Sequence, residues 1–285
     1  MISPRADRID LSTLDSDVAA HYDDLDKWYR VVWGDHVHHG LWRTGKESRA
    51  EAVRALTTYL ADSLELVSGE KVCDVGCGYG GTARILATEY GADVDGYTLS
   101  ERQFAYAQEQ LEGARSPRYH LMNWFENGLP DDAFDAAIAI ESSEHFEDKG
   151  AMIAEMYRVL KPGGRIGVYT WLASPAPTDW QRRHLLEPIC SEGRLPNLGD
   201  ESDHRQRMVD AGFVDVTFEE LSRQVRKTMP LIVGRIMLRL TWDVSGWRHL
   251  LFGPNKVFAK TIVRIMTAYY TGAMQYGMLV AKKPD

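Results

Sequence analysis

The sequence predicts a doubly wound α/β fold with a seven-stranded sheet, and three patterns along its 285 residues support this prediction. Between residues 71 and 172, short apolar runs typical of strands alternate with runs of helical periodicity. The first apolar run leads into a glycine-rich turn, KVCDVGCGYGG. Two more strand patterns occur late in the chain, each near a helical segment. Such alternation requires parallel strands that are joined by helical crossovers.

Five strand patterns make up the predicted core, and helix or turn signals separate them. In chain order they are KVCDVG, ADVDGYTLS, PRYHLMNW, FDAAIAIES and RIGVYTWL. The helix GTARILATEYG ends at Gly91, and Ser100 is placed to cap the helix ERQFAYAQEQLEG. The run DKGAMIAEMYRVLKPGG predicts a helix that stops at two glycines, directly before the fifth strand.

Helical patterns flank this core on both sides. They are predicted at 12–34, 45–66, 179–212 and 228–274. A sixth strand, VDVTFEEL, and a closing strand, QYGMLVAKKP, lie among the late helices. Because the closing strand follows the sixth without a standard crossover, we expect it to be antiparallel and to lie at the edge of the sheet.

The chain therefore divides into three parts around a Rossmann-like core. Residues 1–65 form an N-terminal helical segment that covers the site, and residues 66–175 form the ligand-binding core. Residues 176–285 supply helical lid insertions and the last two strands of the sheet. Ligands of doubly wound sheets bind beyond the carboxyl ends of the strands, where the strand order reverses.

The charge and cysteine content disfavour several classes of partner. With 33 basic and 41 acidic residues, the net charge is −8, so neither nucleic acid nor an anionic membrane is an expected partner. Three cysteines without a CxxC pair favour a reducing, cytoplasmic location. No signal-peptide region and no run of roughly 18 apolar residues is present. The helix before Trp33 either packs on its own domain or exchanges with a second copy in a homo-oligomer.

The glycine turn indicates which ligand the core binds. Gly76, Gly78 and Gly81 form a literal GxGxxG, a pattern that also occurs in dinucleotide-binding sheets. A dinucleotide site needs in addition an acidic residue at the end of the second strand, where this chain has Thr98. Asp74 lies on the first strand, where its carboxylate would repel a pyrophosphate but suit an ammonium group. These residues favour S-adenosylmethionine (SAM) over a nicotinamide cofactor.

The glycine turn and several further segments resemble one enzyme family. VCDVGCGYGG and LKPGGRI are similar to the SAM-binding and late motifs of class I methyltransferases. The segments WGDHVHHGLW, GYTLSERQ, ESSEHFEDK and VYTWL together resemble the tocopherol methyltransferase group. That group is related to sterol C-methyltransferases and cyclopropane synthases, and its members methylate O, N or C. The resemblance covers most of the chain from about Asp23 and implies SAM as the cofactor.

The resemblance also implies roles for individual residues around SAM. The implied contacts are Asp74, Gly76 and Gly78 for the methionine part, Thr98, Leu99 and Gln103 for the ribose, Asn123 and Trp124 for the adenine, and His38, His39 and Gly40 in a segment that folds over the cofactor. Many class I members use an acidic residue for both ribose hydroxyls. Here Thr98 and Gln103 would take its place, because a hydroxyl and an amide can both donate and accept hydrogen bonds.

Candidate catalytic residues follow the fourth strand. Glu141 closes that strand, and ESSEHFED then forms a loop on the catalytic face. His145 is the preferred acid–base candidate, since an unperturbed imidazole titrates near neutral pH. We expect Glu141 to orient the cofactor or the active site. Glu144 is a further ionisable candidate, and Tyr22 is added from the N-terminal segment.

The histidines of the N-terminal segment form a triplet that a metal site could use. His36, His38 and His39 are close in sequence, and a strand would place the first two on one side. Apart from Asp35, no Cys, Asp or Glu lies at ligand spacing beside them. No metal site is therefore predicted, and the segment is assigned to covering the cofactor.

Aromatic residues outside the sheet predict a large apolar pocket. They are concentrated in the N-terminal segment and the late part of the chain, and include Tyr29, Trp33, Trp171, Trp180, Trp242, Trp247, Tyr269, Tyr270 and Tyr276. We therefore expect a hydrophobic acceptor, such as a prenylated aromatic or terpenoid-type secondary metabolite. Methyl transfer to oxygen would use a base such as His145, whereas transfer to an alkene carbon would pass through a carbocation. A nicotinamide-dependent oxidoreductase and a SAM-binding protein without catalysis are the alternatives.

Overall fold

The strands form one seven-stranded sheet in a computed structural model of the chain. The structure describes Asp23, Asp26, residues 29–111, Gly113, residues 116–240 and residues 256–285. The strands are β1 (Lys71–Val75), β2 (Asp93–Thr98), β3 (Arg118–Leu121), β4 (Phe134–Ile140), β5 (Leu160–Ala173), β6 (Val214–Glu220) and β7 (Met274–Lys282). Their order in the sheet is β3-β2-β1-β4-β5-β7-β6. The predicted doubly wound, seven-stranded fold is therefore confirmed.

The longer helices lie between these strands and in the flanking segments. They are α1 (Arg49–Ser63), α2 (Gly81–Glu89), α3 (Glu101–Glu109), α4 (Lys149–Val159), α5 (Glu187–Gly193), α6 (Glu201–Ala211), α7 (Thr228–Leu240) and α8 (Lys256–Thr271). The π-helical turn Arg182–Leu186 leads directly into α5. Ser48 caps α1 in a capping box with Glu51, and the predicted cap Ser100 accepts a hydrogen bond from Gln103 N.

The position of the closing strand differs from the prediction. β7 is antiparallel, as expected, but it lies between β5 and β6 and pairs with both of them. The sheet edge is instead formed by β6, whose side chains are largely exposed or half-buried. Most side chains of β7 are buried. A strand with so many buried side chains is better accommodated between two strands than at an edge.

The two faces of the sheet carry separate apolar clusters. Val72 and Ile138 belong to the cluster that contains α1 and α2, whereas their neighbours Cys73 and Ala137 belong to the cluster that contains α4. Successive side chains of a strand point to opposite faces, so this alternation places helices on both sides of the sheet. Within the described ranges, no helix has the length and apolar content that crossing a bilayer would require.

Candidate active site

A cleft lies at the carboxyl ends of β1, β2 and β4. The strand order reverses between β1 and β4, which is where ligands of doubly wound sheets bind. The cleft measures about 990 Å³ when its open mouth is included. Its lining contains the expected residues His38, Asp74, Gly76, Gly78, Thr98, Leu99, Gln103, Asn123, Trp124, Glu141 and His145. The structure thus brings most of the predicted site residues together in one place.

The glycine turn between β1 and α2 is anchored to the second strand. The backbone N–H groups of Gly76 and Cys77 both donate to the carbonyl oxygen of Tyr97, at 2.9 Å each. Gly76 has a φ of +79°, and a Cβ at this position would lie 2.3 Å from Cβ of Ser142. Glycine suits both conditions, because other residues are strained in the left-handed backbone region and the close approach leaves no room for a side chain.

Asp74 presents a buried carboxylate beneath this turn. The residue is 2% exposed, and its Oδ2 has no hydrogen-bond partner among the described residues. Burial raises the pKa of Asp74 to about 7. A cationic ammonium group in the cleft would satisfy this oxygen and favour its ionised form, whereas a pyrophosphate would meet repulsion. The Asp74 carboxylate therefore fits the ammonium group at the amino-acid end of SAM.

The expected ribose and adenine residues lie along the ends of β2 and β3. The Thr98 hydroxyl donates to Oε1 of Gln103 at 2.9 Å, so the two side chains form one polar unit. Trp124 is 3% exposed and presents part of its ring to the cleft. Asn123 caps a short 3₁₀ turn, since its Oδ1 accepts the backbone N–H of Phe125 at 2.9 Å. This cap fixes the position of Trp124 beside the cleft.

The histidines of the N-terminal segment form a neutral hydrogen-bonded chain over the cleft. His38 Nδ1 lies 2.7 Å from the carbonyl oxygen of His39, so this nitrogen carries the proton. His38 Nε2 then accepts from His36 Nδ1, at 3.1 Å. Burial lowers the pKa of both His36 and His38, which keeps the rings neutral at pH 7. Among the described residues, no three His, Cys, Asp or Glu side chains are grouped to hold a metal ion.

Gly40 lies outside the lining of the cleft, contrary to its expected cofactor contact. Its N–H donates to the Thr228 hydroxyl at 3.0 Å, and a Cβ there would lie 2.7 Å from Cβ of Ala52. Gly40 therefore allows the N-terminal segment to pack closely between α1 and α7. The third catalytic candidate, Tyr22, lies outside the described residues.

A second cavity, which we call the acceptor chamber, adjoins the cleft. It measures about 810 Å³ with its open space and shares Val37, Glu141 and His145 with the cleft. Its other walls are Tyr29, Trp33, Glu144, Trp171, Ile189, Glu192, Gly193, Leu195, Met229, Thr261, Ile262 and Ile265. The late helices α5, α7 and α8 contribute most of these side chains. The predicted apolar pocket is thus present at the junction between the core and the late helices.

Not all of the predicted aromatic residues contribute to this chamber. Trp180 is 54% exposed and Tyr270 is 62% exposed, so both lie on the surface. Trp242 and Trp247 lie outside the described residues. Helical spacing alone does not reveal which face of a late helix is covered, because that depends on the neighbouring helices.

Glu141 is the most completely bonded carboxylate of the site. Its Oε1 accepts the His39 backbone N–H at 2.6 Å and the Tyr276 hydroxyl at 2.8 Å. Its Oε2 accepts the His39 ring at 2.9 Å and Trp171 Nε1 at 3.0 Å. Burial alone would raise the pKa of Glu141, but the His39 side chain and these bonds hold it below its usual value. These donors use all of its roughly four acceptor positions, so the carboxylate holds His39, Trp171 and Tyr276 in place.

Two of these partners were expected in the apolar pocket, but their bonds to Glu141 were not. Trp171 on β5 and Tyr276 on β7 are paired directly across the antiparallel ladder, so their side chains leave the same face of the sheet. The pairing joins positions that are more than a hundred residues apart. Their shared approach to Glu141 follows from the position of β7 in the interior of the sheet.

Glu144 and His145 follow Glu141 on a short 3₁₀ turn. Glu144 is 2% exposed, and its Oε1 accepts the Trp171 backbone N–H at 2.6 Å. Burial and the nearby charge of Glu141 raise the pKa of Glu144 to about 7. His145 is half-buried and lines both cavities. Both side chains therefore line the acceptor chamber next to Glu141, and the burial of Glu144 is a feature that the sequence alone does not reveal.

Lys149 supports this turn from below. It is 2% exposed, and its ammonium group donates to the carbonyl oxygen of Phe146 at 2.9 Å and to that of Glu144 at 3.4 Å. Burial lowers the pKa of Lys149 to about 8. The two bonds bracket His145 and hold the backbone of the turn in place.

Comparisons with known proteins agree with this geometry. The family model described as mycolic acid cyclopropane synthetase matches residues 10–240. A 27-O-demethylrifamycin SV methyltransferase of Amycolatopsis mediterranei is 32% identical over 95% of this chain and 98% of its own. The chloroplastic tocopherol O-methyltransferase of Arabidopsis thaliana is 28% identical, over 94% of this chain and 82% of its own.

A solved structure shows the same fold. The mycolic acid cyclopropane synthase CmaA1, complexed with S-adenosylhomocysteine (SAH) and CTAB, has a TM-score of 0.82 at 20% identity and covers 99% of both chains. These findings confirm the resemblance to class I methyltransferases and decide against a nicotinamide-dependent oxidoreductase. The chain belongs to the mycolic acid cyclopropane synthetase family and is a SAM-dependent methyltransferase.

Proposed function

We propose that the protein transfers the methyl group of SAM to a hydroxyl oxygen of a hydrophobic small molecule, a prenylated aromatic or terpenoid-type secondary metabolite. The observation that carries this proposal is an apolar chamber that adjoins the cofactor cleft and is lined by Glu144, a buried carboxyl of raised pKa. Relatives named for tocopherol and for 27-O-demethylrifamycin SV support an acceptor with a large apolar body.

The cleft residues would hold SAM in a fixed orientation. Asp74 would bind its ammonium group, the glycine turn would approach its methionine part, and the Thr98–Gln103 unit would bind its ribose hydroxyls. Trp124 would pack against the adenine. SAM supplies the methyl group as an electrophilic carbon on a positively charged sulfur. The chain's own contribution is to align this carbon with the acceptor, which accounts for a large share of such rate enhancements.

The acceptor chamber would bind the apolar body and remove the proton. Glu144 takes the hydroxyl proton onto its carboxylate while the oxygen attacks, and His145 lies beside the same junction. A base is most effective when its pKa is close to the working pH, which burial achieves here for Glu144. The His36–His38 chain and α8 cover the site, so water is kept from the reacting atoms.

Incubation with SAM carrying a ¹³C-labelled methyl group tests the proposed reaction. One acceptor is 27-O-demethylrifamycin SV, after which the relative of Amycolatopsis mediterranei is named. The other is 2-methyl-6-phytyl-1,4-hydroquinone, after which a methyltransferase of Synechocystis with 34% identity to this chain is named. We expect formation of SAH together with a labelled product whose methyl carbon has the NMR shift of an ether. A methyl on carbon would overturn the proposed O-transfer and support the carbocation route. SAM binding without SAH formation with either acceptor would also count against the proposal.

Gly78 tests the orientation of SAM in the cleft. Its φ is +54°, and a Cβ would meet no atom within 4 Å, so an added methyl group would project into open space of the cleft. We expect Gly78→Ala to weaken SAM binding by tenfold or more, because the methyl would occupy volume that the methionine part needs. Isothermal titration calorimetry with SAM measures this change.

Gly128 provides a matched control for the backbone strain. It has a φ of +60°, also has no atom within 4 Å of a Cβ, and is exposed away from the cleft. Both alanine variants should lose about 1 kcal/mol of folding stability, since each forces a left-handed alanine. Only Gly78→Ala should change the affinity for SAM. Equal affinities in the two variants would contradict the proposed position of the methionine part.

The division into three parts is also proposed as functional. The part before residue 66 covers the cleft through His36 and His38, and the part after residue 175 supplies chamber walls from α5, α7 and α8. Homo-oligomer formation through the N-terminal helix and a cytoplasmic location stay predictions from the sequence.

A further inference from the structure

The acceptor chamber contains a second polar group, apart from the residues around Glu141. Oε2 of Glu192 on α5 accepts the hydroxyl of Thr261 on α8 at 2.6 Å. The guanidinium of Arg264 pairs with Oε1 of the same carboxylate. Glu192 and Thr261 both line the chamber, whose other walls at this level, such as Ile189 and Ile262, are apolar. A carboxylate on an otherwise apolar wall is costly unless it is bonded.

Helix α8 contributes both polar and apolar walls to the chamber. Thr261 lies in the chamber lining, as do Ile262 and Ile265. Glu141, Glu144 and His145 line the same chamber from the turn after β4. The chamber therefore contains two polar groups, one on helices α5 and α8 and one on this turn, within a largely apolar lining.

We propose that Glu192 and Thr261 form a second subsite of the chamber, which binds a hydroxyl group of the acceptor other than the one that is methylated. We call it the distal subsite because it lies on helices α5 and α8 and not on the turn after β4. This inference rests on the proposed function of the chamber. Arg264 balances the charge of Glu192 across the ion pair. Thr261 and Arg264 use two of its roughly four acceptor positions, and a donor from the acceptor molecule takes another.

The distal subsite would select against purely apolar acceptors. An acceptor without a second hydroxyl would desolvate the Glu192 carboxylate and give it no bond in return. Sites built to bond a hydroxyl discriminate strongly against analogues that lack it. The acceptor class is thereby narrowed to apolar molecules that carry a second hydroxyl group.

Two phenols serve as probes of this subsite. In 4-(5-hydroxypentyl)phenol, a flexible chain carries a second hydroxyl, whereas 4-pentylphenol has the same apolar chain without it. With SAH present, wild-type protein should bind the hydroxylated phenol about tenfold more tightly, as one hydrogen bond to a charged group predicts. Dissociation constants come from quenching of tryptophan fluorescence. Equal binding of the two phenols, or binding of neither, would overturn the proposal.

Variants test whether the preference for the hydroxylated phenol arises at the distal subsite. Glu192→Ala and Thr261→Val should each reduce the preference to twofold or less, while the affinity for 4-pentylphenol stays the same or rises. Glu187→Ala is the control, since Glu187 is exposed on the same helix and does not line the chamber. Persistence of the preference in both chamber variants would exclude the subsite. If wild-type protein shows the binding preference but methylates neither phenol, only the proposed function is refuted.

Discussion

Replacing Glu144 by Gln is expected to reduce the rate of methyl transfer by about 10²- to 10⁴-fold, the usual contribution of a general base. The amide keeps the size of the side chain and can still accept the Trp171 N–H bond, but it cannot take a proton. The affinity for SAM should stay unchanged, because Glu144 lines the acceptor chamber and not the cofactor cleft. Single-turnover kinetics with saturating SAM measures the effect on the chemical step.

The pH dependence distinguishes a base from a structural carboxylate. Burial and the charge of Glu141 raise the pKa of Glu144 from 4.5 to about 7. The wild-type rate should therefore rise as the pH increases to about 7 and then level off, since the ionised form is the active base. The rate of the Glu144→Gln variant should not rise over this pH range.

The folding stability should fall over the pH range in which the reaction rate rises. Between pH 4.5 and about 7, the folded protein binds more protons at Glu144 than the unfolded chain does. The contribution of this carboxyl to stability is therefore complete at low pH and is lost as the pH rises through 7, by ~3 kcal/mol. Urea unfolding at several pH values should show that the stability of Glu144→Gln does not fall in this way as the pH rises.

A neighbouring carboxylate provides the control for the kinetic test. Glu147 lies on the same loop but lines neither cavity, so Glu147→Gln should keep the wild-type rate and pH profile. A wild-type profile in Glu144→Gln would refute the role of Glu144. In that event the rate of His145→Asn, which removes the imidazole shared by the two cavities, should no longer rise with pH.

The elements of the core could be predicted from the sequence because their signals are local. Strand periodicity, the Ser100 cap and the glycine turn depend on residues within one turn or one strand of each other. Asp74 and Thr98 could likewise be placed in one cleft, because the carboxyl ends of neighbouring parallel strands meet at one edge of the sheet.

Features that depend on distant pairing could not be predicted. The position of β7 between β5 and β6 is set by side-chain burial across strands that lie far apart in the chain. Gly40 was assigned to the cofactor by resemblance, yet its small size is needed against Ala52 on α1. The raised pKa of Glu144 depends on burial, which no local pattern reports.

Removing Glu141 is expected to have the largest effect on stability of any change at the site. Glu141→Ala should lower the free energy of unfolding by about 3–5 kcal/mol, the usual result of removing one partner from a buried charged network. The four donors from His39, Trp171 and Tyr276 would remain buried without an acceptor. Because Glu141 lines both cavities, the affinity for SAM and the rate of methyl transfer should fall together.

The backbone of Glu141 adds a second component to this cost. Its φ is +51°, a left-handed backbone conformation that residues other than glycine rarely adopt. The hydrogen bonds of the carboxylate hold the residue in this conformation, and alanine would keep the strain without the bonds. Glu141→Gly removes the same bonds but relieves the strain, so it should be about 1 kcal/mol more stable than Glu141→Ala.

Urea unfolding of four variants separates these contributions. Tyr276→Phe removes one donor and leaves three, so it should cost about 1 kcal/mol. Glu219→Ala is the control, since this half-buried carboxylate on β6 accepts the Tyr59 hydroxyl at 2.6 Å away from both cavities and should also cost about 1 kcal/mol. If Glu141→Ala were no more destabilising than Glu219→Ala, the four bonds would not act as one network. Glu141 would then be free to act as a base, and the assignment of the proton to Glu144 would lose its structural basis.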